Sequence, residues 1–322
     1  MITGREELKR VVRDAVRSTP AVDAYTHLDL RALFSEARQG IFALLTTPAL
    51  MEEARRYGDA RLDADDRKEQ AEAVFAALFI DRSPISRQAQ ATLWSLKKMG
   101  LDIGSRDLSR MHAGWMGRQA DERLLDVLDM ANLSSVAIAA DLFEENAQPL
   151  SRFDERLSTV LCLDALADSS TAWPALAARG VRSHEAAAAF IVETAKRLEA
   201  ESFLVERPFG GAMWDQCVAA AADELKVRVV IGSQMPSGLP DADALKARFA
   251  NEGFSFRPYA SGAAMMEQLP GLWEMARRAI AAALVDAYAP LLKSGWRLAP
   301  AEVINDVEQI LSGGGNRGIH RP

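Results

Sequence analysis

Apolar residues Leu8, Val11, Val12, Ala15 and Val16 recur at helical spacing with arginines between them, which predicts an amphipathic helix over residues 5 to 18. Pro20 ends it. Residues 22 to 28 then read as a strand, rich in β-branched and apolar side chains. The next clear strand pattern comes only at residues 134 to 140, after about a hundred residues of helical pattern, too many for an ordinary connection. Within that stretch Asp65 and Asp66 precede a helix over 67 to 79. Ser83 and Pro84 supply an N-cap and a first-turn proline for a helix reaching Met99, where Gly100 stops it. A further helix covers 106 to 131, with Leu124, Leu125, Val127, Leu128 and Met130 as its buried side.

After Asn132 short apolar runs alternate with helices. Residues 135 to 140, 158 to 163, 203 to 206, 227 to 231 and 254 to 258 are predicted strands, and 184 to 200, 212 to 225 and 241 to 251 are predicted helices. That alternation predicts a parallel sheet with helices outside it. With the first strand this makes roughly six strands, fewer than the eight of a closed α/β barrel. Residues 264 to 293 form one or two long helices with breaks expected at Pro270 and Pro290, Pro300 starts a last helix through Leu311, and Gly313, Gly314 and Gly315 begin a frayed tail.

The chain of 322 residues is 49% hydrophobic and 26% charged, enough for one large core. A net charge of −7 argues against a nucleic-acid partner, which calls for a basic face. Glu6 and Glu7 lie where a secretory signal would be apolar, and no run approaches a membrane span, so a cytoplasmic protein with no membrane partner is expected. Cys162 and Cys217 lack metal-type spacing and read as buried free thiols.

Candidate chemistry gathers at predicted strand ends, where parallel α/β sheets hold ligands. Of four histidines, His27 is the best placed, as ligand, general base or substrate-binding group, against the plain alternative of a buried imidazole bonded to a main-chain carbonyl. His112 and His184 read as structural or surface residues, and His320 lies in the tail. Asp23 shares a strand face with Tyr25 and His27, so it could orient His27 or accept its proton, or simply cap a turn. Tyr25 could donate to a substrate oxygen or merely fill space. Arg82, beside the helix start expected at Ser83, makes a plausible anion site or a solvated loop residue. Glu206 and Arg207 end one predicted strand, and Arg257, Pro258 and Tyr259 end another; Arg207, Arg257 and Tyr259 are candidate substrate contacts there. Asp141 and Asp164 are further strand-end carboxylates.

Four segments together resemble the uronate isomerase branch of the amidohydrolase superfamily: residues 22 to 28 (VDAYTHL), 79 to 86 (FIDRSPIS), 99 to 102 (MGLD) and 288 to 296 (YAPLLKSGW). The resemblance implies a single α/β domain over residues 1 to 322, TIM-barrel-like, distorted or incomplete, with a helical insert at 29 to 132 and a C-terminal helical region at 264 to 312. It also implies one divalent metal, such as zinc, and movement of a proton between adjacent carbons of an open-chain uronic acid. In that superfamily the first strand ends in His-x-His; here Tyr25 replaces the first imidazole and leaves His27 as the candidate metal ligand. The chain is also short after Ile231. Gly232, Ser233 and Gln234 supply no histidine, and residues 259 to 262 supply no aspartate.

The leading expectation is therefore a uronate-isomerase-like enzyme, or a related lyase or hydrolase, acting on a small carboxylate-bearing molecule. His27 with Asp23 would move protons, Tyr25 would hold a substrate oxygen, and Arg82, Arg207 or Arg257 would bind the carboxylate. The alternative is a non-catalytic barrel that has lost its metal ligands and binds a small molecule or a protein. Uncovered sheet edges would then favour a homodimer, formed through the alanine-rich helix at 276 to 289.

Overall fold

A computed structural model describes residues 1–29, 40–144, 149–205, 209, 212–231 and 238–312. Helix α1 (Arg5–Ser18) buries Leu8, Val12, Ala15 and Val16, the predicted face, and has Glu6 and Glu7 in its first turn and Arg17 in its last, the order its dipole favours. Strand β1 (Ala21–Thr26) follows. The insert is then helical, as expected: α2 (Gly40–Leu45), α3 (Pro48–Arg55), α4 (Arg67–Phe75) continued by a π-helical turn, α5 (Arg87–Lys98), α6 (Leu108–Met116) and α7 (Ala120–Met130).

The remainder alternates β2 (Leu133–Asp141), β3 (Leu157–Cys162), α8 (Ser169–Ala177), α9 (His184–Leu198), β4 (Ala200–Val205), α10 (Ala212–Leu225), β5 (Arg228–Ile231) and α11 (Ala242–Glu252), before the long α12 (Leu269–Lys293) and α13 (Pro300–Leu311). All strand pairs are parallel, in the order β1-β2-β3-β4-β5. The sheet curls into a half-barrel. Its free β1 edge is bordered by a closing run, residues 259 to 263, in which Gly262 N–H donates to Tyr25 O at 3.1 Å and His27 N–H donates to Ala263 O at 2.8 Å. Both bonds advance in the same direction along the two segments, so the run lies parallel to β1.

Several boundaries differ from the sequence reading for identifiable reasons. The helix expected to begin at Ser83 begins at Arg87, because Ser86 caps it: its hydroxyl accepts Ala89 N–H at 3.1 Å and donates to Glu53 at 2.8 Å. The single helix expected over 106 to 131 is two, α6 capped by Asp107 and ended at Gly117, and α7 beyond it. Leu125 is 41% exposed, since the buried stripe runs through Leu124, Val127 and Leu128 and leaves Leu125 off that face. Residues 254 to 258 are not a strand; Phe254 and Phe256 turn their rings onto Phe249 instead. Neither proline breaks α12. Pro270 sits in the first turn, where its missing N–H costs no helical bond, and Pro290 lies in the last.

Helix α12 organises the core. It packs against α1, α5 and α11, and buries Ala276, Ile280, Ala283, Leu284 and Tyr288 inside this chain. Of the alanines expected to join two subunits, Ala276 and Ala283 are buried within this chain and Ala282 is exposed. Gly271 lets α12 approach α5: a Cβ there would sit 1.9 Å from Ala91 O. Arg277, 8% exposed, donates to the carbonyls of Val16, Thr19 and Asn132, so one guanidinium joins the end of α1 and the turn before β2 to α12. Among the described residues no helix is long and apolar enough to cross a membrane.

Candidate active site

Strand β1 carries the site because its alternation places a carboxylate and a phenol on the inner side of the sheet, with an imidazole just beyond its end. Asp23 is fully buried. Its Oδ1 accepts Ser261 N–H at 3.0 Å and a long 3.5 Å contact from Tyr25 N–H, and its Oδ2 accepts the indole N–H of Trp273 at 2.8 Å. Burial pushes its pKa up, and these hydrogen bonds oppose that rise. Asp23 therefore clamps β1 to the closing run and to α12. Its hydrogen bonds do not go to His27, so the Asp23 to His27 proton path expected from their shared strand face is not formed.

The groups brought together are Tyr25 and His27. The phenol of Tyr25 is hydrogen-bonded to His27 Nε2, with ring centroids 4.7 Å apart and edges facing. Tyr25 is buried, and its ring packs with Ala137, Val160, Leu204 and Ala260 in the half-barrel interior. His27 is exposed at the C-terminal mouth of the sheet. The pair thus joins a buried hydroxyl to an imidazole open to solvent. The hydrogen bond gives a route for a proton between the phenol oxygen and the imidazole nitrogen, and either group can present it to a bound molecule at the mouth.

Around the same mouth, β2 ends in Asp141, which pairs in register with Cys162 at the end of β3. Asp141 is exposed, and its Oδ1 accepts Phe143 N–H at 2.7 Å. Cys162 is half-buried rather than buried, on the interior face near the Tyr25 cluster; Cys217 is buried, and desolvation raises its thiol pKa. Asp164 opens the short turn after β3.

The remaining predicted contacts fall elsewhere. Arg82 stacks over the Tyr57 ring at 3.8 Å and donates to Ala77 O, within the helical insert, and the helix start expected beside it is absent. Arg257 precedes the closing run, on the side away from His27, because that run is parallel to β1. Tyr259 is buried with its ring edge against Trp273 at 5.1 Å, and burial with the nearby Asp23 charge raises its pKa well above normal. Arg207, Glu206 and residues 232 to 234 lie outside the described residues. His112 stacks on Phe42 at 3.7 Å, and His184 packs against Trp173 and Trp214, both as structural groups. Sequence reasoning missed Trp273 and Ser261, which hold Asp23; a tryptophan in an apolar helix gives no local sign of a partner so far away in the chain.

Among the described residues no three His, Cys, Asp or Glu side chains come together, and the Nε2 of His27 already faces the Tyr25 hydroxyl.

No family model and no curated protein matches the sequence. Solved structures do match. A uronate isomerase from Bacillus halodurans aligns with a TM-score of 0.86 at 22% identity, covering 100% of this chain and 98% of its own. A uronate isomerase from Thermotoga maritima gives 0.67 at 10% identity over 98% of this chain and 99% of its own. A glucuronate isomerase from Caulobacter crescentus gives 0.64 at 12% identity over 99% of this chain and 95% of its own.

Proposed function

We propose that this chain, which has the uronate-isomerase fold along its whole length, is an acid–base enzyme acting on a small open-chain sugar acid at the mouth above β1. The observation that carries the reading is the hydrogen bond between Tyr25 and His27 Nε2 at the C-terminal end of the sheet. The acid substrate class comes from the solved uronate isomerases that share the fold.

Passing the phenol proton to Nε2 leaves a phenolate and an imidazolium in contact. The phenolate oxygen takes a proton from the carbon beside the substrate carbonyl, and the imidazolium gives one to the carbonyl oxygen, which yields an enediol and restores the neutral pair. For the second half, His27 takes the proton of the neighbouring hydroxyl while Tyr25 protonates the former carbonyl carbon. The imidazolium then returns its proton to the phenolate. Each half moves two protons and no net charge, so the pair turns over without a co-reactant.

The substrate carboxylate still needs a cation. By sequence Arg207 follows Val205, the last residue of β4, by two positions, and it is the arginine to test. Incubation of the purified protein with hexuronates, followed by product analysis, is the direct check: aldose-to-ketose conversion that is lost in Tyr25→Phe supports the reading. Saturable binding of a uronate with no conversion would favour a binding barrel instead.

A further inference from the structure

Side chains of a strand alternate between its two faces, so the residues lining the half-barrel can be followed up each strand to the mouth. On β3, Val160 belongs to the interior layer with Tyr25, Leu204 and Ala260, and Cys162, two residues on, packs against that layer. On β2 the interior residues are Ala137 and Ala139, which makes Asp141 the next residue on the same face. The ladder agrees. Asp141 pairs in register with Cys162 and Cys162 with Leu204, and partners in register share a side of the sheet.

The register also sets how far Asp141 stands from the Tyr25–His27 pair. Thr26 lies opposite Ile138, so His27 is level with Ala139 and Asp141 is two residues nearer the mouth. With strands about 4.8 Å apart and a rise of about 3.3 Å per residue, the backbones at His27 and Asp141 are about 8 Å apart. An open-chain sugar acid with its carbonyl at the pair reaches across that gap. Between the two on β2 stands only the methyl group of Ala139, which is itself partly exposed. Asp141 is exposed, and its Oδ1 is fixed by the N–H of Phe143 at 2.7 Å. Among the described residues its Oδ2 makes no hydrogen bond or ion pair, so that oxygen is open to a donor in the mouth.

We propose that Asp141 determines specificity at the mouth: through Oδ2 it accepts from a substrate hydroxyl on the carbons between the carbonyl and the carboxylate. Half-buried Cys162 forms the wall beside it. The inference rests on the sugar-acid reading above and adds which part of the substrate β2 recognises. An ionised carboxylate accepts from hydroxyls and repels another carboxylate, so Asp141 also turns the acid end of the substrate away from β2. That end then points toward the β4 side of the mouth, where Arg207 follows in the sequence.

Isothermal titration of the full chain with the open-chain acid made by reducing the aldehyde of glucuronate to an alcohol tests the proposal. The probe keeps the carboxylate and every hydroxyl of the chain but cannot isomerise, so binding is read apart from turnover. The expected result is saturable binding of one molecule per chain, weakened about tenfold in Asp141→Ala. Among analogues that each lack one hydroxyl, one should bind wild type about tenfold more weakly than the parent, yet bind Asp141→Ala as tightly as the parent does, because both changes remove the same bond. Asp141→Asn, which keeps an acceptor for Phe143 N–H, should show the same loss and carries the test if the alanine variant disturbs the turn. Absence of saturation, equal binding in wild type and both variants, or losses that add for every analogue would each overturn the assignment. Conversion of glucuronate by wild type together with binding indifferent to Asp141 would overturn this inference alone. Binding that depends on Asp141 without any conversion would uphold it and overturn the enzyme reading.

Discussion

Trp273 donates its indole N–H to Asp23 Oδ2 across 2.8 Å, joining residues 250 positions apart. Both are buried to 1% exposure or less, so the bond is made where water cannot replace it. Through it the floor of the candidate site is held by the first helical turns of α12. Trp273→Phe keeps most of the ring volume and removes the donor. A loss of about 2 kcal/mol is expected, within the range for stranding a buried acceptor, seen as a lower urea midpoint with an unchanged slope.

The same carboxyl predicts a pH dependence. Burial raises the folded pKa of Asp23 above its unfolded value of about 3.9. Folding therefore binds the proton more tightly, and this contribution is fully present below the unfolded pKa and lost as pH rises through the raised folded one. Asp23→Asn lacks that titration, and it turns an amide N–H₂ toward Ser261 N–H or Trp273 N–H. The variant should be less stable than wild type throughout, by a margin that narrows as the pH of urea unfolding is raised from acid toward neutrality. A margin independent of pH would contradict the raised pKa.

Gly271→Ala tests how closely α5 and α12 pack. The added methyl would meet the Ala91 carbonyl at 1.9 Å and the Ser95 hydroxyl at 2.6 Å, and the first is main chain that cannot swing aside. Overpacking of this kind costs about 1–3 kcal/mol when neighbours can shift, and more here because a helix must move. Thermal unfolding should show a clear drop in midpoint; an unchanged midpoint would mean that the two helices are further apart than described.

Arg277 holds three main-chain carbonyls, and burial lowers its pKa to about 10. Arg277→Met keeps the packing of the stem and abandons the carbonyls of Val16, Thr19 and Asn132. The expected cost is about 3 kcal/mol, from stranded acceptors at the junction of α1 and β2. Faster amide hydrogen exchange confined to the end of α1 and the turn before β2 would locate the damage.

Much of the fold was legible because it rests on local periodicity. The face of α1, the helical insert, and the strand and helix alternation after Asn132 all follow from apolar spacing and from signals such as Asp66 before α4 and Ser183 before α9. The closing run was not, since residues 259 to 263 border β1 without forming a regular strand of their own. The site was half legible. A period of two placed Asp23, Tyr25 and His27 on one side of β1, yet it could not show that Asp23 turns to Trp273 and Ser261 while Tyr25 bonds to His27. Those choices depend on partners more than 200 residues away, and sequence spacing carries no information about them.

In the proposed function Tyr25 and His27 together move a carbon-bound proton. Proton NMR of glucuronate incubated with the protein in D₂O tests it most directly, by following deuterium uptake at the carbon beside the carbonyl. Wild type should incorporate deuterium and form the ketose, with the rate falling about 100-fold or more in Tyr25→Phe and in His27→Ala while both variants keep a cooperative thermal transition. Exchange that survives both substitutions, or no exchange by the wild-type protein across a panel of uronates, would contradict it.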